Sequence, residues 1–289
     1  MRLLITGADG QLGRCLQDHL RGTGHVVRAC SRAELDITDP DSVKACLLSY
    51  RPDAVINAAA YTAVDRAEDE EPLATRINAE APASMARACA ARGIALVQIS
   101  TDYVLDGQGC APHAPDAPVA PLNAYGRSKA AGEAAVRASG ATHAILRTSW
   151  VFSAHGSNFL KTMLRLSETR AALSIVDDQI GGPTPAAAIA HACLTIAGRL
   201  AADPGKGGTY HFAGAPDVSW QGFAEAILAA AGRAVSVSGI PGSGYPTPAA
   251  RPLNSRLDCR ATEAAFGLVR PDWRAALPDI LKELGAIQR

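Results

Sequence analysis

The feature that most constrains the fold is a set of three evenly spaced glycines close to the start of the chain. Leu3–Thr6 is a short apolar run that predicts a buried strand, and Gln11–Arg21 has the pattern of a helix. Gly7, Gly10 and Gly13 span the junction with the spacing G-x-x-G-x-x-G. Glycines at such a junction let backbone N–H groups and the positive end of the helix dipole approach a phosphate closely. The sequence therefore predicts a strand–turn–helix unit that binds the diphosphate of a dinucleotide.

Apolar runs and helical patterns alternate through the first half of the chain, which is typical of a parallel sheet. After Trp150 this alternation gives way to short apolar segments interrupted by proline and glycine. We therefore predict an α/β fold, with a doubly wound, Rossmann-like parallel sheet and a smaller, discontinuous α/β domain that binds the substrate. Residues 1–150 are expected to bind the dinucleotide and residues 151–289 mainly the substrate, with segments after residue 173 returning to the first domain. The later strands of the sheet are predicted at Val26–Val27, Ala54–Asn57, Ile94–Ser100 and Thr142–Arg147.

Composition restricts the classes of partner. The 289 residues include 28 Lys and Arg against 28 Asp and Glu, so the formal net charge is zero and no nucleic-acid partner is expected. Apolar runs are far shorter than the roughly 18–20 residues that span a bilayer. The start of the chain also lacks the apolar region of a signal peptide. We therefore expect no membrane partner and a cytoplasmic location. The seven cysteines are scattered without a C-x-x-C pair, which argues against a zinc site or a disulfide framework.

A tyrosine and a lysine four residues apart form a second motif. Tyr125 and Lys129 lie in a helix predicted to start near Asn123, so both side chains are expected on one helical face. A cation beside a phenol lowers the pKa of the phenol, and a phenol so placed can protonate the alkoxide formed when a carbonyl accepts hydride. Thr101 closes the predicted strand Ile94–Ser100, where its hydroxyl can bond the same substrate oxygen. Tyr125, Lys129 and Thr101 are the predicted catalytic residues, and a surface tyrosine and lysine are the alternative.

The residues after the second predicted strand bear on the choice of cofactor. An acid at this place binds the ribose 2′-hydroxyl of NAD, whereas a base accommodates the 2′-phosphate of NADP. The segment Ala29–Arg32 contains Arg32 and no acid, which favours NADPH, with NADH as the second choice. Asp36 and Ile37 follow and are candidates for contacts with the adenine edge. An exposed loop arginine without a ligand is the alternative interpretation of Arg32.

Taken together, these motifs resemble the extended short-chain dehydrogenase/reductase superfamily and, within it, the dTDP-4-dehydrorhamnose reductase family. The resemblance covers nearly the whole chain. The most specific segments are Ser100–Gly107, Arg147–Phe152 and Asp177–Thr184. The other segments that carry it are Gly7–Gly13, Asn57–Glu68, Pro121–Glu133, Asn158–Leu166 and Tyr245–Asp258.

The resemblance implies a role for each matching position. Tyr125 is similar to the proton donor of the family, and Lys129 is similar to the lysine that holds the nicotinamide ribose and lowers the phenol pKa. The residues identified with the diphosphate-binding turn are Gly7, Gly10, Gln11, Leu12 and Gly13. Those identified with contacts beside the nicotinamide ribose are Ala60, Tyr61 and Thr62. Those identified with the substrate site are Thr101, Asp102 and Trp150, the last as a wall of the sugar pocket.

The reaction implied by the resemblance is reduction by NADPH of the C4 ketone of dTDP-6-deoxy-L-lyxo-4-hexulose to dTDP-L-rhamnose, a precursor of O-antigen and cell-wall polysaccharides. Other nucleotide-sugar reductases and epimerases of the superfamily are alternatives. A 4,6-dehydratase resembles this chain but carries Thr-Asp-Glu at the strand end, where this sequence has Tyr103 in the third position. A non-catalytic regulatory subunit with this fold is the alternative from a different class.

Two expectations concern metal and assembly. Some members of the family dimerise around Mg²⁺ through a carboxylate early in the first helix, where this chain has Arg14 and Cys15. Since a hard cation needs oxygen ligands, we predict no metal site, and either a monomer or a homodimer. The acidic run Glu68–Glu71 is expected to be a solvated helix start.

Overall fold

The computed structural model describes residues 1–288. Its strands are β1 (Arg2–Thr6), β2 (Val26–Cys30), β3 (Ala54–Asn57), β4 (Ala95–Thr101), β5 (His143–Thr148), β6 (Val151–Phe152), β7 (Ala172–Val176), β8 (Ile180–Gly181), β9 (Thr184–Pro185), β10 (Gly208–His211), β11 (Val218–Ser219), β12 (Ser236–Ile240) and β13 (Asn254–Ser255). Its α-helices are α1 (Gln11–Leu20), α2 (Pro40–Tyr50), α3 (Glu71–Thr75), α4 (Ala81–Ala90), α5 (Ala124–Arg137), α6 (Phe159–Ser167), α7 (Ala186–Ala202), α8 (Trp220–Ala230), α9 (Arg260–Phe266) and α10 (Trp273–Glu283).

A six-stranded sheet in the order β10-β5-β4-β3-β1-β2 organises the molecule, and all of its strand pairs are parallel. The predicted α/β class and the parallel, Rossmann-like sheet are therefore confirmed. The chain leaves β1 on one side to form β2 and returns to the other side to form β3. Sheets of this kind bind ligands at the carboxyl ends of the strands, at such a reversal. The site is therefore expected where the turn after β1 meets the end of β3.

Alternate residues of the central strands face the two helical layers. Leu3 and Ile5 of β1 pack with α1 and α7, whereas Leu4 between them packs with α2 and α4. Such strands are apolar on both faces because helices cover both sides of a parallel sheet. The helix α7 lies far from α1 in the sequence, yet it completes the layer on the face of α1.

A second apolar cluster is formed by β6, α6, α8 and α10. Phe223 of α8 lies at its centre, with its ring edge-on to Phe152 at 5.3 Å and to Trp273 at 5.2 Å between centroids. Small two- and three-stranded sheets flank this cluster. Within residues 1–288, no helix has both the length and the apolar character needed to span a bilayer.

Polar side chains join three adjacent strands of the large sheet near their carboxyl ends. The buried Thr6 hydroxyl donates to Asn57 Oδ1 at 2.6 Å, and Asn57 Nδ2 donates to Gln98 Oε1 at 2.7 Å. Because buried polar groups need partners, this chain of hydrogen bonds links β1, β3 and β4 in one register. It lies next to the edge at which the candidate site is found.

Candidate active site

A cavity of about 770 Å³ opens at the carboxyl ends of the large sheet. This volume falls in the range of ordinary small-molecule sites. The turn Gly7–Gly13, here called the phosphate-binding turn, lies at one side of the cavity. Tyr125 and Lys129 of α5 lie at the other side. The predicted site residues that line it are Gly7, Gly10, Gln11, Leu12, Arg32, Asp36, Ile37, Ala60, Thr62, Thr101, Asp102, Tyr125, Lys129 and Trp150.

Two predicted residues do not line the cavity. A Cβ on Gly13 would lie 2.1 Å from the Gly7 carbonyl oxygen, so Gly13 allows α1 to pack against the turn. The Tyr61 phenol donates to Glu70 at 2.6 Å, and its backbone N–H donates to the Asn78 side chain at 2.8 Å. In this structure Gly13 therefore supports the turn, and these bonds hold Tyr61 outside the cavity lining.

The phosphate-binding turn has the conformation that its glycines permit. Gly7 has φ +72°, and a Cβ there would lie 2.7 Å from the Ala59 nitrogen. The Gly10 N–H donates to the Gly7 carbonyl at 3.0 Å, and Gly10 is the N-cap of α1 without a side-chain cap. The start of α1 thus lines the cavity with backbone N–H groups that no side-chain cap occupies, which is what a diphosphate requires.

The end of the cavity beside β2 carries one positive side chain. Arg32 is 75% exposed, and its Nε lies 3.8 Å from Asp36 Oδ2. The other oxygen of Asp36 accepts from the Thr38 N–H and hydroxyl, and these bonds hold the pKa of Asp36 below its usual value. Arg32 therefore has a largely free guanidinium at the cavity rim, where a 2′-phosphate would be recognised.

A close helix–strand contact positions Tyr125 and Lys129. A Cβ on Gly126 would lie 2.2 Å from the Tyr103 carbonyl oxygen, so only glycine lets α5 approach the end of β4 this closely. The Asn123 side chain caps the helix by accepting from the Gly126 N–H at 2.8 Å. The Tyr125 ring is edge-on to Tyr103 at 5.6 Å, and the Lys129 ammonium donates to the Ile99 carbonyl at 2.7 Å. The glycine between the tyrosine and the lysine is a sequence signal of this packing.

The predicted lowering of the Tyr125 pKa by Lys129 is wrong for this structure. Burial raises the pKa of the Tyr125 phenol well above its usual value, and the Thr101 hydroxyl only partly opposes it. Burial also lowers the pKa of Lys129 to about 8, against the opposing effect of the Glu133 carboxylate. The two shifts share one cause, because a dry environment disfavours the charged form of each group. Tyr125 therefore holds its proton at neutral pH.

Two buried polar atoms at the cavity wall lack a hydrogen-bond partner within residues 1–288. They are Oδ2 of Asp102 and Oγ1 of Thr148. The other oxygen of Asp102 accepts from the Thr101 hydroxyl at 3.0 Å, and burial raises the pKa of Asp102 to about 6. Unpaired buried polar atoms are costly and rare in folded proteins. Their position fits a polar ligand such as a sugar, which would supply the missing bonds.

An aromatic stack forms the wall opposite α5. Trp150 has φ +49°, in the left-handed region, and lies on Trp220 with 3.5 Å between ring centroids and 9° between planes. A Cβ on Gly181 would lie 2.8 Å from the Trp150 ring, so this glycine leaves room for the stack. A non-glycine residue in this conformation is strained and is held by its surroundings. The role of Trp220 behind Trp150 was not found from the sequence, because about 70 residues separate them.

Two further groups near the site were not identified from the sequence. Glu133 and Arg147 form a buried ion pair directly behind the ends of β4 and β5. The acidic run Glu68–Glu71, predicted to be a solvated helix start, does include the partly exposed first residue of α3, and two of its members also contact α5. Glu68 accepts from the Ala124 N–H at 2.8 Å, and Glu71 pairs with Arg127 at 2.8 Å. The contacts with α5 were not predicted because the partners lie more than 50 positions away along the chain.

The chain is similar to known proteins over almost its entire length. A family model described as the RmlD substrate binding domain matches residues 1–286. The dTDP-4-dehydrorhamnose reductase of Burkholderia thailandensis is 44% identical, with 98% of this chain and 99% of that protein covered. The enzyme of the same name from Escherichia coli K12 is 38% identical, with 98% of each chain covered.

Solved structures agree with this result. The dTDP-4-dehydrorhamnose reductase of Clostridium acetobutylicum has a TM-score of 0.92 at 37% identity, covering 99% of this chain and all of that one. The Bacillus anthracis enzyme of that name, crystallised with NADP, has a TM-score of 0.90 at 36% identity, covering 98% and 99%. Taken with the cavity geometry, these matches show that the chain belongs to the RmlD family, whose members compared here are named dTDP-4-dehydrorhamnose reductases.

Proposed function

We propose that this protein is an NADPH-dependent dTDP-4-dehydrorhamnose reductase, which reduces the C4 ketone of dTDP-6-deoxy-L-lyxo-4-hexulose to dTDP-L-rhamnose. The observation that supports this proposal best is the convergence of Thr101, Tyr125 and Lys129 on the cavity that the phosphate-binding turn also lines. The same cavity offers one long surface for a dinucleotide and a polar, partly aromatic end for a sugar. Relatives of this name match the chain from end to end.

The chain's own residues supply the acid and its support. NADPH, when bound, supplies the hydride that reduces the C4 carbon. Tyr125 donates its phenolic proton to the C4 oxygen, and its raised pKa keeps that proton in place at neutral pH until negative charge develops on the oxygen. The Thr101 hydroxyl, at the end of β4, bonds the same oxygen and orients the ketone. Lys129, whose ammonium donates to the Ile99 carbonyl, would hold the nicotinamide ribose and supply a positive charge to the site during proton transfer.

The sugar-binding wall comes from both parts of the chain. Asp102 and Thr148 line this wall with polar side chains for the sugar hydroxyls, and the stacked Trp150 offers an apolar face to the sugar ring. In this proposal residues 151–288 mainly build the substrate side (Arg289 lies outside the described residues), while α7 and β10 return to complete the dinucleotide-binding part. The substrate is a nucleotide sugar held across this junction.

The direct test mixes purified protein with NADPH and the keto-sugar nucleotide and follows the near-ultraviolet absorbance of NADPH. The expected result is consumption of one NADPH for each dTDP-L-rhamnose formed, with mass spectrometry showing a gain of two hydrogens in the sugar. Stable absorbance in the presence of bound NADPH and substrate would contradict the reductase function and favour a binding subunit.

Replacing Arg32 by alanine should weaken NADPH binding while leaving NADH binding nearly unchanged, because only NADPH carries the 2′-phosphate that this guanidinium faces. A charge-assisted contact of this kind corresponds to roughly a 10- to 100-fold change in Kd. Titration with both coenzymes measures it. Arg28→Ala is the matched control, since Arg28 lies in β2, four residues before Arg32, but rests over the Tyr50 ring, outside the cavity lining. Equal weakening of both coenzymes in Arg32→Ala would remove Arg32 from the 2′-phosphate site.

A further inference from the structure

A short segment after β6 lies directly over the phosphate-binding turn. We call Ser153–Asn158 the clamp segment. The Ser153 hydroxyl and the Asn158 Nδ2 both donate to Gln11 Oε1, each at 2.9 Å. Gly156, with φ +60°, approaches so closely that a Cβ there would lie 3.1 Å from Gln11 Cγ. Residues about 140 positions apart in the sequence thus surround one side chain of the turn.

The two donors determine which way the Gln11 carboxamide faces. Its oxygen is occupied by Ser153 and Asn158, whereas its Nε2 donates to no partner within residues 1–288. Gln11 lines the cavity at the first position of α1, beside the open backbone N–H groups. Because the clamp segment holds the oxygen of the Gln11 carboxamide, its N–H₂ group is the part that can bind an anion at the start of α1.

We propose that Ser153 and Asn158 are positioning residues, which hold the Gln11 carboxamide so that its N–H₂ group donates to the diphosphate of the bound dinucleotide. Without them the amide could rotate and present its oxygen, which would repel a phosphate oxygen. A donor fixed in advance binds an anion more tightly than one that must be ordered on binding. This inference rests on the proposed function only in taking a dinucleotide as the ligand.

The clamp segment is itself held from both sides. Asn158 Nδ2 also donates to the Ser153 carbonyl at 2.7 Å, and Ser153 Oγ accepts from the His155 N–H at 3.1 Å. The His155 ring lies 2.9 Å from Asp18 of α1 and 3.8 Å from Glu283 of α10. The segment therefore bridges the helix of the phosphate-binding turn and the last helix of the chain, and its donors are fixed before any ligand arrives.

The test uses Asn158→Ser, which removes the amide donor without adding charge. Asn158 caps α6 by accepting from the Lys161 N–H at 3.1 Å, and serine is an equally good cap, so the helix should persist. We expect Kd for NADPH to rise about 10-fold, in line with the loss of one oriented hydrogen bond to an anion. Adenosine 2′-monophosphate has no diphosphate, so its Kd should change by less than about twofold. Ser153→Ala should behave in the same way.

A double-mutant cycle with Gln11→Ala separates orientation from a general structural effect. Once the carboxamide is absent, Asn158→Ser should have no further effect on NADPH binding. Thr162→Ala is the matched control, because this hydroxyl bonds only the Asn158 carbonyl within α6 and does not reach Gln11. An equal loss of affinity in the Gln11→Ala background, or equal losses for NADPH and adenosine 2′-monophosphate, would overturn the proposal. Failure of the wild-type protein to bind NADPH would instead contradict the proposed function.

Discussion

Tyr125→Phe should lower kcat by about 10²- to 10⁴-fold while leaving the affinity for NADPH nearly unchanged. The substitution removes the phenolic proton proposed to reach the developing oxyanion and keeps the ring that packs edge-on against Tyr103. Burial keeps the Tyr125 phenol protonated, because it raises a pKa that is ordinarily near 10. A change of pH between 6 and 9, at least about one unit below that ordinary value, should therefore not restore the rate of the variant. The defect should therefore be one of chemistry and not of binding.

The measurement is steady-state and single-turnover NADPH oxidation, together with coenzyme titration. Tyr210→Phe is the matched control. The Tyr210 phenol, in β10, donates to the Lys206 carbonyl at 2.7 Å and lies outside the cavity lining. This variant should retain ordinary turnover. If Tyr125→Phe turned over at a rate close to that of the wild type, or lost NADPH affinity in proportion to its rate, Tyr125 would not be the proton donor.

Local patterns predicted the parts of the fold whose causes lie close together in the sequence. Ala54–Asn57 is a strand with the predicted ends, and α5 begins at Ala124 after its cap Asn123, close to the predicted start. The phosphate-binding turn is equally local, because one strand, three glycines and one helix N-terminus build it. Such features depend on interactions within a few residues, which the sequence displays directly.

The parts that were missed depend on contacts between distant segments. The stack of Trp150 on Trp220, the clamp over Gln11 and the anchoring of α5 by Glu68 join residues that no local pattern relates. The sign of the Tyr125 pKa shift has the same origin. Spacing correctly placed Lys129 on the same helix, but it could not show that burial would set the direction of the Tyr125 pKa shift.

A buried ion pair behind the site gives the largest stability effect that we expect. Glu133 and Arg147 are each 1% exposed and meet through two hydrogen bonds of 2.8 and 2.7 Å. The Ser100 hydroxyl, next to Thr101, also donates to Glu133 at 2.6 Å. The pair thereby joins α5, β4 and β5 one turn beyond Lys129. Removing one partner of such a pair leaves a charge buried without compensation.

Glu133→Gln should lower the free energy of unfolding by about 3–5 kcal/mol, which corresponds to a fall in Tm of about 5–15 °C. Glu71→Gln is the matched control, because Glu71 and Arg127 form the same two-bond geometry at the surface, with side chains 39% and 45% exposed. An exposed pair of this kind contributes less than about 1 kcal/mol. Urea unfolding and thermal melting of the three proteins measure the difference.

The pH dependence of stability tests whether the charge of Glu133 causes the loss of stability expected in Glu133→Gln. Burial alone would raise the pKa of Glu133, but the Arg147 guanidinium and the Ser100 hydroxyl outweigh it, so the folded-state pKa lies below the ordinary value of 4.5. A carboxylate with a lowered pKa stabilises the fold fully above its unfolded pKa and loses that contribution as the pH falls through the folded pKa. The difference in the free energy of unfolding between the wild type and Glu133→Gln should thus be largest near neutral pH. It should decrease in acid, since a protonated glutamate resembles glutamine. The buried charge would not stabilise the site if this difference stayed constant in acid, or if it were no larger than the difference between the wild type and Glu71→Gln.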